Sequence, residues 1–500
     1  MLNSGSPVLT VAVRARPARQ QAKRGASSEI AACIAALTLV AAPLPYLLRS
    51  DHGHYITALL LTLTLVACSF YSQRGAIAAT MVFLAVLGDF RRYAGYFEGY
   101  PTSDPLLLVA PVVAVIMLGQ ALLRGRSAPS TPVSWLLLML MALMGIEMFN
   151  PAQGGVQIGL AGALFYIAPL LWFWVARAFA SAQFVRQFTG VIIGVGVAAM
   201  GLGLYQIHFG LLAFEQQWVQ QVGYQALYIS DDIVRSIGFF NSSAEYQRYL
   251  VVSAATVFAL WMSRRSRVIL LLPLFLAAIF LSAARGPVLM VLLAMMVVWA
   301  IAARSVVSWL PRFTLAALIG AALLIGALAV LQGGRFGDRV APLVDRQVNG
   351  LLDPANQEKS TATGHLQMLE DGIMSGIKNP AGLGLGATTE AAEKYGGHIL
   401  NAEVDLANVM IAVGVLGGVL YLAIVTLVLA GAVGWWRRSR EPYALALVGT
   451  LFGTLGGWLI GAEYSVSALL WFQIGLMDRL SRESRQSPGS SAGAPGPHHA

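Results

Sequence analysis

The chain has 500 residues, 57% of them hydrophobic and only 11% charged, with a mean hydropathy of +0.68. Soluble globular domains carry roughly a quarter charged residues, so the composition excludes a soluble enzyme and points to a polytopic membrane protein. The only two cysteines, Cys33 and Cys68, lie inside apolar runs, which speaks against an extracellular disulfide framework and makes them packing residues.

Taken in chain order, residues 1–29 form a basic tail containing VRARPARQQAKR. The first apolar run holds Pro43 and Pro45 and leads straight into further runs, unlike a cleaved signal. Runs of about 20 apolar residues, the length that crosses a bilayer core, begin near residues 30, 55, 75, 105, 133, 157, 189, 247, 267, 287, 313, 404, 442 and 465, the third and the last being the weakest. The fold expected is therefore all-α, a polytopic transmembrane helical bundle of about 12 to 14 spans over residues 30–481. Residues 482–500 end in SPGSSAGAPGPHHA, whose Pro, Gly and Ser content predicts disorder.

With both termini inside, the inner segments hold 21 of the 33 lysines and arginines but only Glu29, Glu441, Asp478 and Glu483 of the acids. This is the distribution that the positive-inside rule requires. The net charge of +9 is then a topological signal, and nucleic acid is not an expected partner.

Two outer segments, 210–246 and 332–402, are too long to be mere connectors, and loops of this length without obvious strands are usually functional. The second contains TGHLQMLEDGIMSGIKNP, where Leu366, Leu369, Ile373 and Ile377 follow helical spacing, Thr363 is placed to cap and Asn379-Pro380 ends the run. This predicts an amphipathic helix that lies near the outer membrane surface, covers a cavity, or merely packs on the bundle.

The polar knot SAARGPVL places Arg285 in a turn of about three residues between two spans, where Gly286 is expected to permit the bend and Pro287 to open the next helix. A snorkelling anchor is one reading of Arg285; a fixed guanidinium offering two hydrogen bonds to phosphate is the other. In RSIGFFNSSAEYQRYLV, Arg235 precedes a Gly-aromatic turn that enters the eighth span, and Asp231-Asp232 upstream are expected to solvate the loop or pair with Arg235 rather than bind metal.

The order RSIGFFNSSAEY, SAARG, NPAGLGLGATT and EVDLANVMIAVGVLGG, over residues 230–425, resembles the bacterial O-antigen ligase and polysaccharide polymerase superfamily of GT-C-like membrane glycosyltransferases. The resemblance implies an inner-membrane enzyme that moves a glycan from an undecaprenyl-diphosphate-linked donor to an acceptor hydroxyl on a glycan or lipid at the periplasmic face, without cofactor or metal. It implies that Arg235 and Arg285 bind the donor diphosphate, with Arg285 also catalytic where negative charge develops on the leaving group, and that other polysaccharide-assembly proteins are possible partners. Ligases of the family carry a histidine eleven positions before the first paired glycine; counting back from Gly414 lands on Glu403. The acceptor's base is thus Glu403, Asp405 or a looped-in His398. A polymerase is the leading expectation and a ligase acting on lipid A core the runner-up. A transporter is disfavoured because Asp89, Glu147, Glu463 and Arg285 fall near outer helix ends; a non-catalytic scaffold stays open.

Overall fold

The computed structural model describes residues 27–48, 52–101, 103–126, 129–179, 181–223, 227–230, 233–303, 305–334, 336–353, 362–395, 399–400, 403–459 and 463–486. The long helices are α1 (Ser27–Leu47), α2 (Gly53–Tyr71), α3 (Gln73–Glu98), α4 (Pro105–Leu123), α5 (Pro132–Glu147), α6 (Val156–Phe179) and α7 (Ala182–Phe209). After a short α8 (Ala213–Val222) and a hairpin of β1 (Tyr228–Ser230) and β2 (Ile233–Val234) come α9 (Ser243–Arg264), α10 (Arg267–Leu281), α11 (Arg285–Ile301) and α12 (Val306–Gln332). The shorter α13 (Ala341–Leu352), α14 (Ala362–Lys378) and α15 (Glu390–Lys394) precede α16 (Asp405–Ser439), α17 (Pro442–Gly453) and α18 (Tyr464–Gln486). Eight of these, α1–α4, α6, α7, α12 and α16, are long and apolar enough to cross a membrane, and α5, α10, α11 and α17 are shorter apolar helices. An all-α, multi-pass membrane bundle accounts for this architecture.

Local chemistry sets the helix starts. Ser72, Ser181 and Ser242 each accept a hydrogen bond from the third residue of α3, α7 and α9, and Thr131 and Ser134 form a reciprocal capping box at α5. Successive helices reverse the chain, so the two long segments emerge at one face, called here the loop face. The opposite face is pinned by Arg177–Asp478 at 2.9 Å, both side chains buried.

The centre of the bundle is α18, the apolar run weakest by sequence at the C-terminal end. Its Trp471 and Phe472 are fully buried, and Phe472 meets Phe188 of α7 at 4.9 Å between ring centroids and Trp172 of α6 at 6.5 Å. At the other extreme stands α12, only 6% of whose apolar window is buried; its Leu318, Leu323 and Ile325 present a surface suited to lipid chains.

Several details depart from the sequence reading. Residues 210–246 do contain strands, the antiparallel pair Tyr228↔Val234 and Ser230↔Ile233. The amphipathic segment is α14, which packs on α16 through Leu369 and Ile373 while Leu366 and Ile377 stay exposed; it begins at Ala362, so Thr363 lies within its first turn rather than ahead of it. The bend before Arg285 is made by Ala283, at φ 54°, whereas Gly286 already belongs to α11 with open space around it. Asp89, nine residues short of the end of α3, lies about 13 Å along the helix from that end, deeper than the sequence suggested.

The segment 379–389 explains the paired glycines. Gly414 breaks α16 at φ 78°, which frees backbone groups that a membrane interior cannot solvate. The NPAGLG backbone takes them up: Leu383 and Gly384 N–H donate to Ile411 and Ala412 carbonyls at 2.8 and 3.2 Å, and Val415 N–H donates to Pro380 O at 3.2 Å. Any side chain at Gly414 would stand 2.0 Å from Pro380 O. Thr388 then reaches Tyr166 of α6 at 2.6 Å.

Candidate functional site at the loop face

Arg285 is the first residue of α11 and is half-buried. Its guanidinium lies across the C-terminal end of α13, donating to Gly350 O at 3.2 Å, where a side chain on residue 350 would collide with it at 2.8 Å. Gln347 of the same helix donates to Ala284 O at 3.1 Å, so α13 is tied both to the last residue of the turn and to Arg285 after it. The negative end of the α13 dipole favours a cation there. Arg346 is close enough to Arg285 for the two guanidiniums to repel each other.

Arg235 follows β2, its N–H donating to Leu227 O at 2.9 Å. The Gly-aromatic turn after it is clamped from below. Arg92 of α3 donates to Phe240 O at 2.7 Å, and Gln206 of α7 accepts from Ile237 and Gly238 N–H at 3.0 and 2.8 Å. Glu215 of α8, fully buried, accepts from Gln206 at 2.6 Å and contacts Asp89 through a hydrogen bond. Burial, followed by the Asp89 carboxylate, pushes Glu215 up to about 7, with Arg92 opposing. One small hydrophobic cluster joins the two arginine-bearing segments: Ala283 from the turn before Arg285 and Leu343 of α13 pack with Ile207, Ile229 and Ile233.

The first turns of α9 form the hub behind them. Glu245 accepts from Asn241 N–H at 3.1 Å on one side and from Ser465 and Val466 N–H, at the start of α18, at 2.7 and 3.3 Å on the other. Gln247 reaches Ser282 O at 3.5 Å. Arg248 donates to Gly457 O at 2.7 Å and meets Glu463 at 2.8 Å. Asp405, also fully buried, accepts from Tyr421 Oη, from Trp458 N–H at 2.5 Å and from Leu459 N–H at 3.1 Å.

That arrangement separates the sequence-predicted bases. The Asp405 carboxylate is fully engaged in holding the loop between α17 and α18. Glu403, two residues earlier, is exposed, holds a left-handed backbone at φ 57° and is near enough to Glu463 to repel it; a non-glycine residue in that conformation costs about 1 to 2 kcal/mol. His398, Asn401, Asp231 and Asp232 lie outside the described residues, as does the side chain of His365. Among the described residues no group of three His, Cys, Asp or Glu side chains is placed to hold a metal ion.

Two cavities open beside these groups. The larger, about 920 Å³, runs between α9–α13 and is lined almost wholly by apolar side chains, including Phe258, Phe280, Val288, Leu292, Leu324 and Val344. Val288 is about one turn from Arg285, which brings the start of α11 close to the cavity wall, whereas Arg346 is exposed on a different side of α13 from Val344, and neither arginine is among the lining residues. The smaller, about 270 Å³, lies between α7, α8 and the hairpin and is markedly polar.

Sequence reading missed Arg248, Glu463, Arg346, Arg92 and Glu215. Only Glu245 left a local signal: with Ser242 it has the S-x-x-E spacing of a capping box, which predicts a carboxylate reaching back to the helix start. A scan against protein-family models finds no match, and a search of curated proteins finds none.

Proposed function

We propose that this protein is a polysaccharide polymerase of the bacterial inner membrane, which transfers a glycan from a polyprenyl-diphosphate donor to a hydroxyl of a lipid-linked acceptor at the periplasmic side. The observation that carries the reading is Arg285, held at the start of α11 about one turn from Val288 in the wall of the apolar cavity of about 920 Å³, with Arg346 nearby. A long apolar chain headed by an anion fits this placement, since the chain fills apolar space while the head meets the Arg285 guanidinium. The net charge pattern favours the same orientation, with the arginine-rich face cytoplasmic and the loop face periplasmic.

In the reaction the acceptor oxygen forms a bond to the anomeric carbon as the bond from that carbon to the diphosphate breaks, and the acceptor proton passes to a base. Arg285, fixed by Gly350 and Gln347, stabilises the charge that accumulates on the departing diphosphate. Glu403 is the accessible carboxylate at the mouth of α16 and takes the proton. Arg235 holds the second side of the diphosphate. The resemblance in RSIGFFNSSAEY, SAARG and the paired-glycine entry supports the same assignment.

The test is transfer in lipid nanodiscs with a lipid-linked repeat unit as both donor and acceptor. Arg285→Lys is expected to abolish product while melting at the wild-type temperature, because a point charge does not reproduce the planar fork. Near-normal transfer by that variant reduces Arg285 to an anchor, and no product from the wild type on any lipid-linked substrate removes the enzyme reading in favour of a transporter or scaffold. Replacing the acceptor with lipid A core separates polymerase from ligase.

A further inference from the structure

The polar cavity of about 270 Å³ has no role in the reaction outlined above. Its walls are Gln206 to Leu211 at the end of α7, Gln216, Val219 and Gln220 of α8, the strand residues Tyr228, Ile233 and Val234, and Arg339 ahead of α13. Its volume is near the lower end of small-ligand sites, ~300 Å³, and holds a sugar ring with its hydroxyl groups.

The lining divides into committed and uncommitted groups. Gln206 is wholly engaged, both ends of its amide holding the turn at Ile237 and Gly238 and the Glu215 carboxyl. Gln216 donates to Leu211 O at 2.8 Å, which fixes its amide plane and leaves its carbonyl oxygen as an acceptor. The amide of Gln220, the hydroxyl of Tyr228 and the guanidinium of Arg339 make no hydrogen bond or ion pair among the described residues. Arg339 is not simply splayed into solvent: it comes within 3.1 Å of where a side chain on Gly210 would begin, and Gly210 sits at φ 87°, so the chain leaves an opening through which the guanidinium lies on the cavity. Among the described residues no carboxylate lines the cavity; Glu215, behind it, is fully buried and engaged.

Two amides and a phenol offer paired donors and acceptors to vicinal hydroxyls, and a lone cation supplies a partner for an anionic substituent. We propose that this cavity is a saccharide subsite that takes an acidic sugar of the substrate glycan, its carboxylate meeting Arg339 and its hydroxyls meeting Gln216, Gln220 and Tyr228. The proposal rests on the lipid-linked-glycan reading, and the placement agrees with it: β2 lines the cavity and leads directly to Arg235, while Ile207 and Ile233 share a cluster with Ala283 beside Arg285. A glycan leaving the diphosphate site thus has this cavity as its neighbour.

The experiment titrates the full-length protein in nanodiscs, by calorimetry, with three probes: an oligogalacturonate, a neutral malto-oligosaccharide of equal length, and farnesyl diphosphate. Saturable binding of the uronate is expected, with the neutral oligosaccharide at least about tenfold weaker. Arg339→Ala should weaken the uronate about tenfold or more, the size of a lost charge-assisted hydrogen bond, and Gln220→Ala a few-fold, the size of a neutral one. Both variants should bind farnesyl diphosphate as the wild type does. Absence of saturable uronate binding, equal affinity for the two oligosaccharides, or unchanged uronate affinity in both variants overturns the subsite. Failure of farnesyl diphosphate alone, with the uronate still bound through Arg339, removes the lipid-diphosphate reading and leaves the saccharide site standing.

Discussion

At the loop face, two sets of charges are handled in opposite ways. Around the start of α9, Glu245, Arg248, Asp405 and Glu463 are all buried, and their charges are met by each other or by backbone N–H and carbonyl groups of the loop between α17 and α18. Around the start of α11, Arg285 and Arg346 are of one sign, partly or fully exposed, and near enough to repel each other. The first set closes on itself and so can only hold structure. The second sets a cation against the carbonyl end of α13 and leaves charge of one sign within reach of solvent, as the proposed anion site requires. The difference teaches that burial and charge alone do not mark function here; the sign balance of the group does.

The largest effect should come from breaking the self-closed set. Arg248→Met strips Glu463 of its only opposing cation in the cluster, leaving it exposed to burial and to Glu245, Asp405 and Glu403. A loss of roughly 3–5 kcal/mol is expected, as for any buried pair deprived of one partner, read as a collapse in thermal stability in detergent. Adding Glu463→Leu should recover most of it. If the single variant melts like the wild type, the cluster is not what holds the loop between α17 and α18.

Glu403 lies beside Glu463 of the first set but is itself exposed, and its replacement sharpens the contrast. Glu403→Gln should lower turnover about a hundredfold, the usual size of a general-base contribution, with melting temperature unchanged because the side chain is exposed. If His398 is the base, His398→Ala shows that loss instead, and the acid limb of the pH–rate profile then follows an imidazole rather than a carboxyl group.

The smallest effect lies in the scaffold below Arg235. Glu215 is raised from 4.5 to about 7 in the fold, so between those pH values the native state holds a proton that the unfolded chain has released. Stability therefore falls as pH rises through about 4.5 to 7 and is fully present below that window. A drop of roughly a few degrees in melting temperature is expected between pH 5 and pH 7.5, and Glu215→Gln should flatten it. A slope that survives this substitution belongs to another group.

Much of this was legible in the sequence, and the reason is physical. Membrane helices announce themselves because a bilayer demands about twenty apolar residues in a row, so all but the two runs placed near 189 and 313 begin within about four residues of a helix start, and the three-residue turn 282–284 before Arg285 follows from where two runs meet. The fates of Glu403 and Asp405 were not legible: two carboxylates two residues apart are equivalent in a sequence, and only the loop between α17 and α18, folded back from fifty residues away, engages one and leaves the other exposed. The same holds for the bend at Ala283 rather than Gly286, and for the meeting of Arg346 with Arg285 across sixty residues of chain. Local pattern determines which segments are helical and buried in lipid, because that choice is made by each segment against its solvent; which charges pair, and which of one sign are brought together, is decided by long-range packing that no local period encodes.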